Sequence, residues 1–264
     1  MNEILSSNCD NYCKHIVTPI TPYLLCDHHF STEIYENDKK YIGLDIKTLC
    51  TNAPNDLYKH NNFNKINRGD IVLVQVDLFE VFIDNILPKV PSSIVLITSQ
   101  WHYPQIHRSI TSDKCISNNK IILWISQNPI YENHRKYMAF PYGICHLSVN
   151  NYMGFIKTND VATVRKDKHV YNSHISIPGN LPTDHIRRHP IFEPVNGHLP
   201  YDEYLNEILR SKFTISPTGD RDDCYRHYEC IGLNSIPISN TNYREIFENN
   251  MISLNIDDII RIIK

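Results

Sequence analysis

Three short, almost continuous apolar runs mark the middle of the chain: Ile71–Val76, Ile94–Ser99 and Ile121–Ser126. Runs of this length without polar alternation are typical of strands buried on both faces of a parallel sheet. Between the first two runs, the segment Leu78–Leu87 places apolar residues at helical spacing. The pattern therefore predicts a strand–helix–strand unit, which is the building block of α/β folds.

The hydrophobic pattern weakens at two places. Residues 1–40 are polar and show no period, so we expect an irregular N-terminal segment. Residues 150–165 are again polar and weakly patterned, which indicates a junction. We therefore predict two α/β domains, one over residues 1–160 and one over residues 161–264.

The C-terminal half repeats the alternation of strands and helices. Tyr201–Arg210 predicts a helix, because acidic residues crowd its first turn, a basic residue ends it, and apolar residues form one stripe. A strand over Phe213–Ser216, a helix over Cys224–Leu233 and a strand over Ser235–Ser239 follow. The last segment, 256–264, spaces its isoleucines as one face of a terminal helix.

Composition narrows the class of protein. The 264 residues carry a formal net charge of −3, which gives no support for binding to nucleic acid. No apolar stretch reaches the roughly 18 residues of a membrane span, and the N-terminus lacks the pattern of a signal peptide. The eight cysteines are spread along the chain, which fits reduced thiols in the cytoplasm better than a secreted disulfide scaffold.

Several chemistries are disfavoured by their missing motifs. Cys9, Cys13, Cys26 and the pair His28–His29 could form a metal site, but their spacing matches no common zinc pattern. We therefore interpret them as unrelated polar residues. No Gly-x-Gly-x-x-Gly follows a predicted strand, which argues against a dinucleotide oxidoreductase. The sequence contains no Gly-x-Ser-x-Gly elbow, so this motif gives no support for a hydrolase.

The stretch from Ser211 to Ser239 carries the most chemical information. It predicts a strand, a Pro-Thr-Gly turn, an acidic loop, a helix and another strand. A helix that begins beyond the carboxyl end of a parallel strand offers free backbone N–H groups to an anion. Arg226 would add a two-pronged charge to a phosphate, and Glu229 could accept hydrogen bonds from a ribose. The alternative is an ordinary solvated face with an Arg226–Glu229 ion pair, on which Asp222 would also lie.

The same stretch resembles the C-terminal signature of exostosin-like glycosyltransferases. That signature contains a strand, a Pro-x-Gly turn, a helix opened by Asp-Ser-x-Arg-x-x-Glu, and a strand containing Ile-Pro. The resemblance covers about 40 residues and rests on the following positions: Phe213, Pro217, Gly219, Asp223, Arg226, Glu229 and Ser235–Ile238. Phe140-Pro-Tyr-Gly-Ile144 also resembles a piece near the end of the first domain of such enzymes.

The resemblance implies a GT-B fold, in which two Rossmann-like domains flank a cleft. The N-terminal domain would take a glycan or other hydroxyl acceptor, and the C-terminal domain would take a nucleotide-sugar, with UDP-sugars favoured. Arg226 would contact the diphosphate and Glu229 the ribose. The implied donor-binding residues are Pro217, Thr218, Gly219, Asp220, Arg221, Asp223, Arg226 and Glu229.

The resemblance also bears on cofactors and location. An inverting enzyme of this type requires no cofactor besides the donor substrate, and Mn²⁺ or Mg²⁺ is possible but not indicated. Asp220-Arg-Asp222-Asp223 has an Asp-x-Asp spacing, but it lies in the phosphate-side loop. There we expect it to cap the helix and to pair with Arg221 or Arg226. Without a membrane anchor, the chain fits an enzyme of a microbe or large DNA virus, located in the cytoplasm.

The sequence departs from the family pattern at two positions. Cys224 stands where the family has Ser, which removes a hydroxyl partner for phosphate. Asn234 stands where Gly ends the helix, and Asn tolerates the left-handed conformation that this position requires.

Glycosyl transfer also needs a base on the acceptor side. Asp77 is the first candidate because it directly follows the strand Ile71–Val76, and His102 is the second because it follows Ile94–Ser99. Asp77 could instead cap the helix that starts at Leu78, and His102 could be a surface residue. The catalytic set is therefore Asp77, His102 and Arg226, with no metal ligands.

Two other functional classes remain open at this point. A non-catalytic carbohydrate-binding or assembly protein could keep the same fold, and the uncertain base favours that alternative. Another Rossmann-like enzyme that acts on nucleotides or phosphosugars would share the phosphate-binding features. Binding of UDP separates a donor site from a plain interaction module, since a bound ligand raises the melting temperature.

Overall fold

The computed structural model describes most of the chain as two compact units. The first unit comprises residues 1–141 and the second comprises residues 142–264. The described residues are 16–19, 21–30, 47–50, 61–99, 106–172, 199–218, 222–241, 243–247, 250–254, 258 and 261. The fold is mixed α/β, and all strand pairings in the described residues are parallel.

The first unit is built on a six-stranded parallel sheet with the order β2-β1-β3-β4-β5-β6. The strands are β1 His28–Phe30, β2 Lys47–Cys50, β3 Ile71–Gln75, β4 Ile94–Ser99, β5 Ile121–Ser126 and β6 Tyr137–Ala139. The three strands that the apolar runs predict are confirmed, and β3 pairs with β4 in register from Ile71↔Val95 to Gln75↔Ser99. Strand order reverses between β1 and β3, which makes that point a topological switch.

Three α-helices of the first unit lie in the described residues. They are α1 Thr21–Leu25, α2 Phe79–Val81 and α3 Ile110–Ser117. The predicted helix over 78–87 forms as an irregular helical segment, with a 3₁₀ turn before α2 and π and 3₁₀ turns after it. Pro88 lies in the last of these turns, where it cannot donate the backbone hydrogen bond of a continuing helix.

Trp124 lies at the centre of the first core. It is fully buried, its ring stacks on Phe79 with centroids 5.0 Å apart, and Tyr131 and Tyr137 contact its edges. Its indole N–H donates to Thr98 Oγ1 at 3.0 Å. A buried indole N–H needs an acceptor, and Thr98 supplies it. This side-chain bond joins β4 to β5 in addition to the backbone ladder.

The expectation of an irregular segment over residues 1–40 is wrong for part of that range. Residues 28–30 form β1, which lies between β2 and β3. His28 and His29 are buried there, and His28 Nε2 lies 2.9 Å from Asp70 Oδ2. Histidines carry no strand signal in a three-residue run, so only the pairing with neighbouring strands reveals this element.

The second unit contains a four-stranded parallel sheet with the order β10-β9-β8-β7. Its strands are β7 Lys168–Asn172, β8 Ser211–Ile215, β9 Ile236–Ser239 and β10 Ile252–Ser253. Its helices are α4 Val149–Thr158, α5 Tyr201–Arg210, α6 Tyr225–Gly232 and α7 Arg244–Phe247. The predicted order helix, strand, helix, strand over 201–239 is confirmed, while most of the predicted terminal helix over 256–264 lies outside the described residues.

A helix lies within the weakly patterned stretch 150–165. Residues 149–158 form α4, whose Tyr152 hydroxyl donates to the backbone oxygen of Glu229 in α6 at 3.2 Å. The two compact units divide between residues 141 and 142, whereas the hydrophobic pattern predicts a boundary between residues 160 and 161. The close approach of Tyr152 requires a glycine at position 232, because a Cβ there would lie 2.0 Å from the Tyr152 hydroxyl oxygen.

Lys166 joins the carboxyl ends of two helices in the second unit. Its Nζ donates to the backbone oxygens of Leu209, in α5, and Leu233, after α6, each at 2.7 Å. A cation is favourable there because the last carbonyls of a helix carry partial negative charge. None of the helices in the described ranges is long and apolar enough to cross a membrane.

The bond between Trp124 and Thr98 yields a stability prediction. Thr98→Val keeps the volume but leaves the buried indole N–H without this acceptor, so the free energy of unfolding should fall by about 1–3 kcal/mol. Urea unfolding followed by tryptophan fluorescence measures it, since both tryptophans, Trp101 and Trp124, belong to the first unit. Thr111→Val, at a half-exposed position of α3, is the control and should change stability by less than about 0.5 kcal/mol. Equal losses in both variants would contradict the assignment.

Candidate functional site

The loop between β8 and α6 lies at the carboxyl edge of the second sheet, where the sequence predicts the donor site. Cys224 is the N-cap of α6 and has extended backbone angles. His227 completes a capping box, in which its Nδ1 lies 3.3 Å from the backbone nitrogen of Cys224. The helix therefore begins one residue later than predicted, and the predicted cap by the aspartates is wrong because Cys224 holds that position.

Arg226 lies in the first turn of α6 and is partly buried. Its Nε donates to the hydroxyl of Tyr204 at 3.3 Å, and its guanidinium carbon lies 5.9 Å from the centroid of the same ring. Burial opposes the charge of Arg226, but the Tyr204 and Cys224 side chains outweigh this and raise the pKa of the guanidinium. A fixed, permanently charged guanidinium near a helix N-terminus is suited to binding an anion.

Glu229 is buried, although the sequence placed it on a solvated face. Its Oε1 accepts from the hydroxyl of Tyr201, and its Oε2 accepts from the hydroxyl of Tyr204, both at 2.7 Å. The ion pair with Arg226 expected in the alternative interpretation is replaced by a relay, since Arg226 donates to Tyr204 and Tyr204 donates to Glu229. Burial and the Glu229 carboxylate raise the pKa of Tyr204, so its hydroxyl stays a donor.

A helical wheel of residues 224–233 predicts a buried stripe of Cys224, Tyr228 and Ile231. In the structure, all three are only partly buried. The buried positions are instead His227, Glu229 and Cys230. Two of these are polar, and a polarity pattern cannot show that partners from α5 and the strand ends satisfy them inside the core.

Asp223 and His227 form a buried polar pair that the sequence analysis did not single out. The His227 Nδ1 lies 3.6 Å from Asp223 Oδ1, and Asp223 Oδ2 accepts from the Tyr142 backbone N–H at 2.8 Å and from the Tyr228 hydroxyl at 2.5 Å. His227 Nε2 donates to the backbone oxygen of Ser216 at 2.9 Å. The four-residue spacing of Asp223 and His227 was the signal that could have revealed this pair. Asp223 therefore fixes the loop against α6.

The segment around Tyr142 packs onto the same loop. The Tyr142 ring stacks on Tyr225 with centroids 4.8 Å apart and an interplanar angle of 20°. The Tyr225 hydroxyl donates to the Tyr142 hydroxyl at 3.2 Å. Tyr142, which belongs to the Phe140–Ile144 segment of the family resemblance, therefore contacts the start of α6. The next residue, Gly143, has the positive φ of 78° that the turn needs.

The remaining donor-site candidates divide into two groups. Pro217 and Thr218 are buried, and Asn240 holds Thr218 by accepting its backbone N–H at 2.9 Å and donating to its Oγ1 at 3.1 Å. The other three candidates, Gly219, Asp220 and Arg221, lie outside the described residues. Asn240 follows β9 and was not predicted, because its role depends on the parallel pairing of β8 and β9.

Asp77 lies just after β3, at the carboxyl edge of the first sheet and beside its switch point. It is exposed, and its Oδ2 accepts from Gln75 Nε2 at 3.0 Å. The N-cap positions of the following turns are Gln75 and Leu78, so the alternative in which Asp77 caps the helix is wrong. His102, the second base candidate, lies outside the described residues.

Polar side chains continue along this edge of the first sheet. Ser99 ends β4 and donates to Gln127 Oε1 at 2.7 Å, and both residues are buried. Open α/β sheets bind ligands at this edge, so its buried polar groups and the exposed Asp77 form the second candidate region. Within the described ranges, no three His, Cys, Asp or Glu side chains are grouped as metal ligands.

Comparisons of the chain with family models and with curated proteins give no match. The resemblance to exostosin-like glycosyltransferases therefore stands on the quoted residues of this chain. At Asn234, where the sequence departs from the family pattern, the backbone adopts the left-handed conformation with a φ of 55°.

The relay from Arg226 through Tyr204 to Glu229 yields a stability prediction. Tyr204→Phe removes the hydroxyl, so the buried carboxylate loses one donor and the free energy of unfolding should fall by about 1–3 kcal/mol. Urea unfolding followed by circular dichroism measures the loss. Tyr171→Phe is the matched control, because Tyr171 is also buried but its hydroxyl makes no hydrogen bond within the described part of the chain. A loss as large in Tyr171→Phe would show that the hydroxyl relay is not what stabilises the helix pair.

Proposed function

We propose that the protein is an inverting glycosyltransferase that moves a sugar from a nucleotide-sugar, with a UDP-sugar favoured, to a hydroxyl acceptor. In this proposal, the two α/β units are the two Rossmann-like domains of a GT-B enzyme. The second unit binds the donor, and the first binds the acceptor. The observation that carries the proposal is Arg226, held in the first turn of a helix that starts beyond the carboxyl end of a parallel strand.

The chemistry of transfer explains why that placement matters. As the bond from the sugar to the diphosphate breaks, positive charge grows on the sugar and negative charge grows on the departing phosphate oxygens. A guanidinium and helix N–H groups fixed before the reaction stabilise this leaving group without reorganising. Tyr204 and Glu229 support the role of Arg226, because they hold its guanidinium in one orientation.

Glu229 takes a different role from the one that the family resemblance implies. Both of its carboxylate oxygens already accept tyrosine hydroxyls inside the unit. We therefore propose that Glu229 acts on the donor through Tyr204 and Arg226, as a positioning residue. A direct contact with ribose would have to share the lone pairs that the two tyrosines use.

Asp77 is the proposed base for the acceptor hydroxyl. Its exposure and its position after β3 support this role, because a base must reach a bound acceptor from the carboxyl edge of the sheet. The proposal assigns no metal ion to the reaction, since Arg226 and the helix N-terminus supply positive charge. The acceptor sugar and the linkage are set by contacts that fold alone does not specify.

Nucleotide binding is the first test of the proposal. UDP at about 100 times its Kd should raise the melting temperature by about 5 °C or more, measured by differential scanning fluorimetry with and without Mn²⁺. Arg226→Ala should weaken UDP binding by about tenfold or more, because a charge-assisted contact to phosphate is lost. Arg210→Ala is the matched control, since Arg210 is a half-exposed arginine of the same unit that pairs with Asp167.

The outcomes separate the functional classes. UDP binding that is weakened in Arg226→Ala and unchanged in Arg210→Ala supports the donor site. No binding of UDP, GDP or CMP would overturn it and favour a non-catalytic protein of the same fold. Equal binding by wild type and Arg226→Ala would place the nucleotide elsewhere.

Asp77→Asn tests the assignment of the base. The variant should bind UDP like the wild type, but its release of UDP from a UDP-sugar should slow by about 10²-fold or more, because the base contributes that much to proton transfer. Glu80→Gln removes an exposed carboxylate two residues beyond the same turn and should leave turnover unchanged. Wild-type turnover in Asp77→Asn would exclude this residue as the base.

A further inference from the structure

Cys224 differs from most of the other cysteines that the structure describes. Cys26, Cys115 and Cys230 are buried, whereas Cys224 and Cys145 are partly exposed. Burial raises the pKa of Cys115 and Cys230, so their thiols stay protonated and unreactive. Cys224 alone among these five belongs to a cluster of ionisable groups at the start of a helix.

The Cys224 sulfur lies among groups that favour a negative charge. As the N-cap of α6, Cys224 lies at the positive end of the helix. The Ser216 hydroxyl lies 3.8 Å from the sulfur, at hydrogen-bonding distance for a thiolate. Pro217 O, also 3.8 Å away, is the acceptor that the protonated thiol would use.

A buried charge pair supports the imidazole next to this sulfur. His227 and Asp223 are both buried, and their side chains approach to 3.6 Å. Asp223 Oδ1 accepts no hydrogen bond within the described part of the chain, and it is the carboxylate oxygen that faces the imidazole. The structure therefore brings a thiol, an imidazole and a buried carboxylate together, in the manner of an activated nucleophile.

The electrostatic balance agrees with this geometry. Burial opposes an imidazolium, but the Cys224 sulfur and the Asp223 carboxylate outweigh it and raise the pKa of His227 to about 10. Burial and repulsion by the Asp223 carboxylate likewise oppose a thiolate at Cys224. The charges of His227 and Arg226 outweigh both effects and lower the pKa of Cys224.

We propose that Cys224 is a nucleophilic thiolate and a modification site that hydroperoxides oxidise to a sulfenic acid. The thiolate sulfur attacks one peroxide oxygen, so that an S–O bond forms while the O–O bond breaks. For hydrogen peroxide, hydroxide leaves and is neutralised by a proton from the buffer, so the products are the sulfenic acid and water. The sulfur is oxidised by two electrons and the peroxide is reduced by two. This site does not depend on the proposed glycosyl transfer.

The wild-type protein provides the first test. Alkylation by iodoacetamide, quantified for each cysteine peptide by mass spectrometry across a pH series, gives the titration of every thiol. Cys224 should titrate below the value of about 8.5 of an unperturbed cysteine and at about pH 7 should react about tenfold faster than Cys145, which is also partly exposed. Hydrogen peroxide followed by dimedone should label the Cys224 peptide.

Two variants sharpen the result. Cys224→Ser should keep the melting temperature, because serine is a good N-cap, and should abolish the dimedone label. His227→Gln should slow alkylation of Cys224 at about pH 7 by about tenfold, while the rates of the urea-unfolded wild type and variant stay equal. If His227→Gln does not fold, the wild-type pH series decides alone. An ordinary titration of Cys224, or no dimedone label on its peptide, would overturn the proposal.

Discussion

The buried carboxylate of Glu229 is the constraint on which the second unit depends. A carboxylate is costly to bury unless hydrogen bonds satisfy it, and here the hydroxyls of Tyr201 and Tyr204 do so. Both tyrosines lie in α5 and Glu229 lies in α6, so satisfying the charge fixes one helix against the other. The same contacts fix Arg226 through Tyr204, which ties the stability of the unit to the candidate anion site.

A second buried charge organises the loop that begins α6. Asp223 accepts hydrogen bonds from Tyr142 and Tyr228 and lies against the imidazole of His227. The ring in turn donates to the backbone oxygen that follows β8, so the strand end, the loop and the helix are held as one piece. Cys224 caps the helix at this junction, which explains how a structural position can also carry reactive chemistry.

In both units, the candidate functional residues lie at the carboxyl edge of a parallel sheet. In the first unit, Asp77 and the bonded pair Ser99 and Gln127 follow the ends of β3, β4 and β5. In the second, the loop with Thr218 and the start of α6 follow β8. Parallel strands leave their last polar groups at one edge, where the loops are free to vary without disturbing the sheet.

The sequence by itself determined the strands at Ile71, Ile94 and Ile121 and the helix–strand order around Ser211–Ser239, because these depend on local hydrophobic period and turn residues. It could not reveal β1, whose histidines are buried only through pairing on both sides, nor α4, whose pattern is weakly amphipathic. It also could not predict that Glu229 is buried. A charged residue is expected at the surface unless hydrogen-bond donors, here two tyrosine hydroxyls, lie beside it in the folded chain. Only the tertiary structure decided which polar side chains lie inside, since burial depends on partners that are distant in the chain.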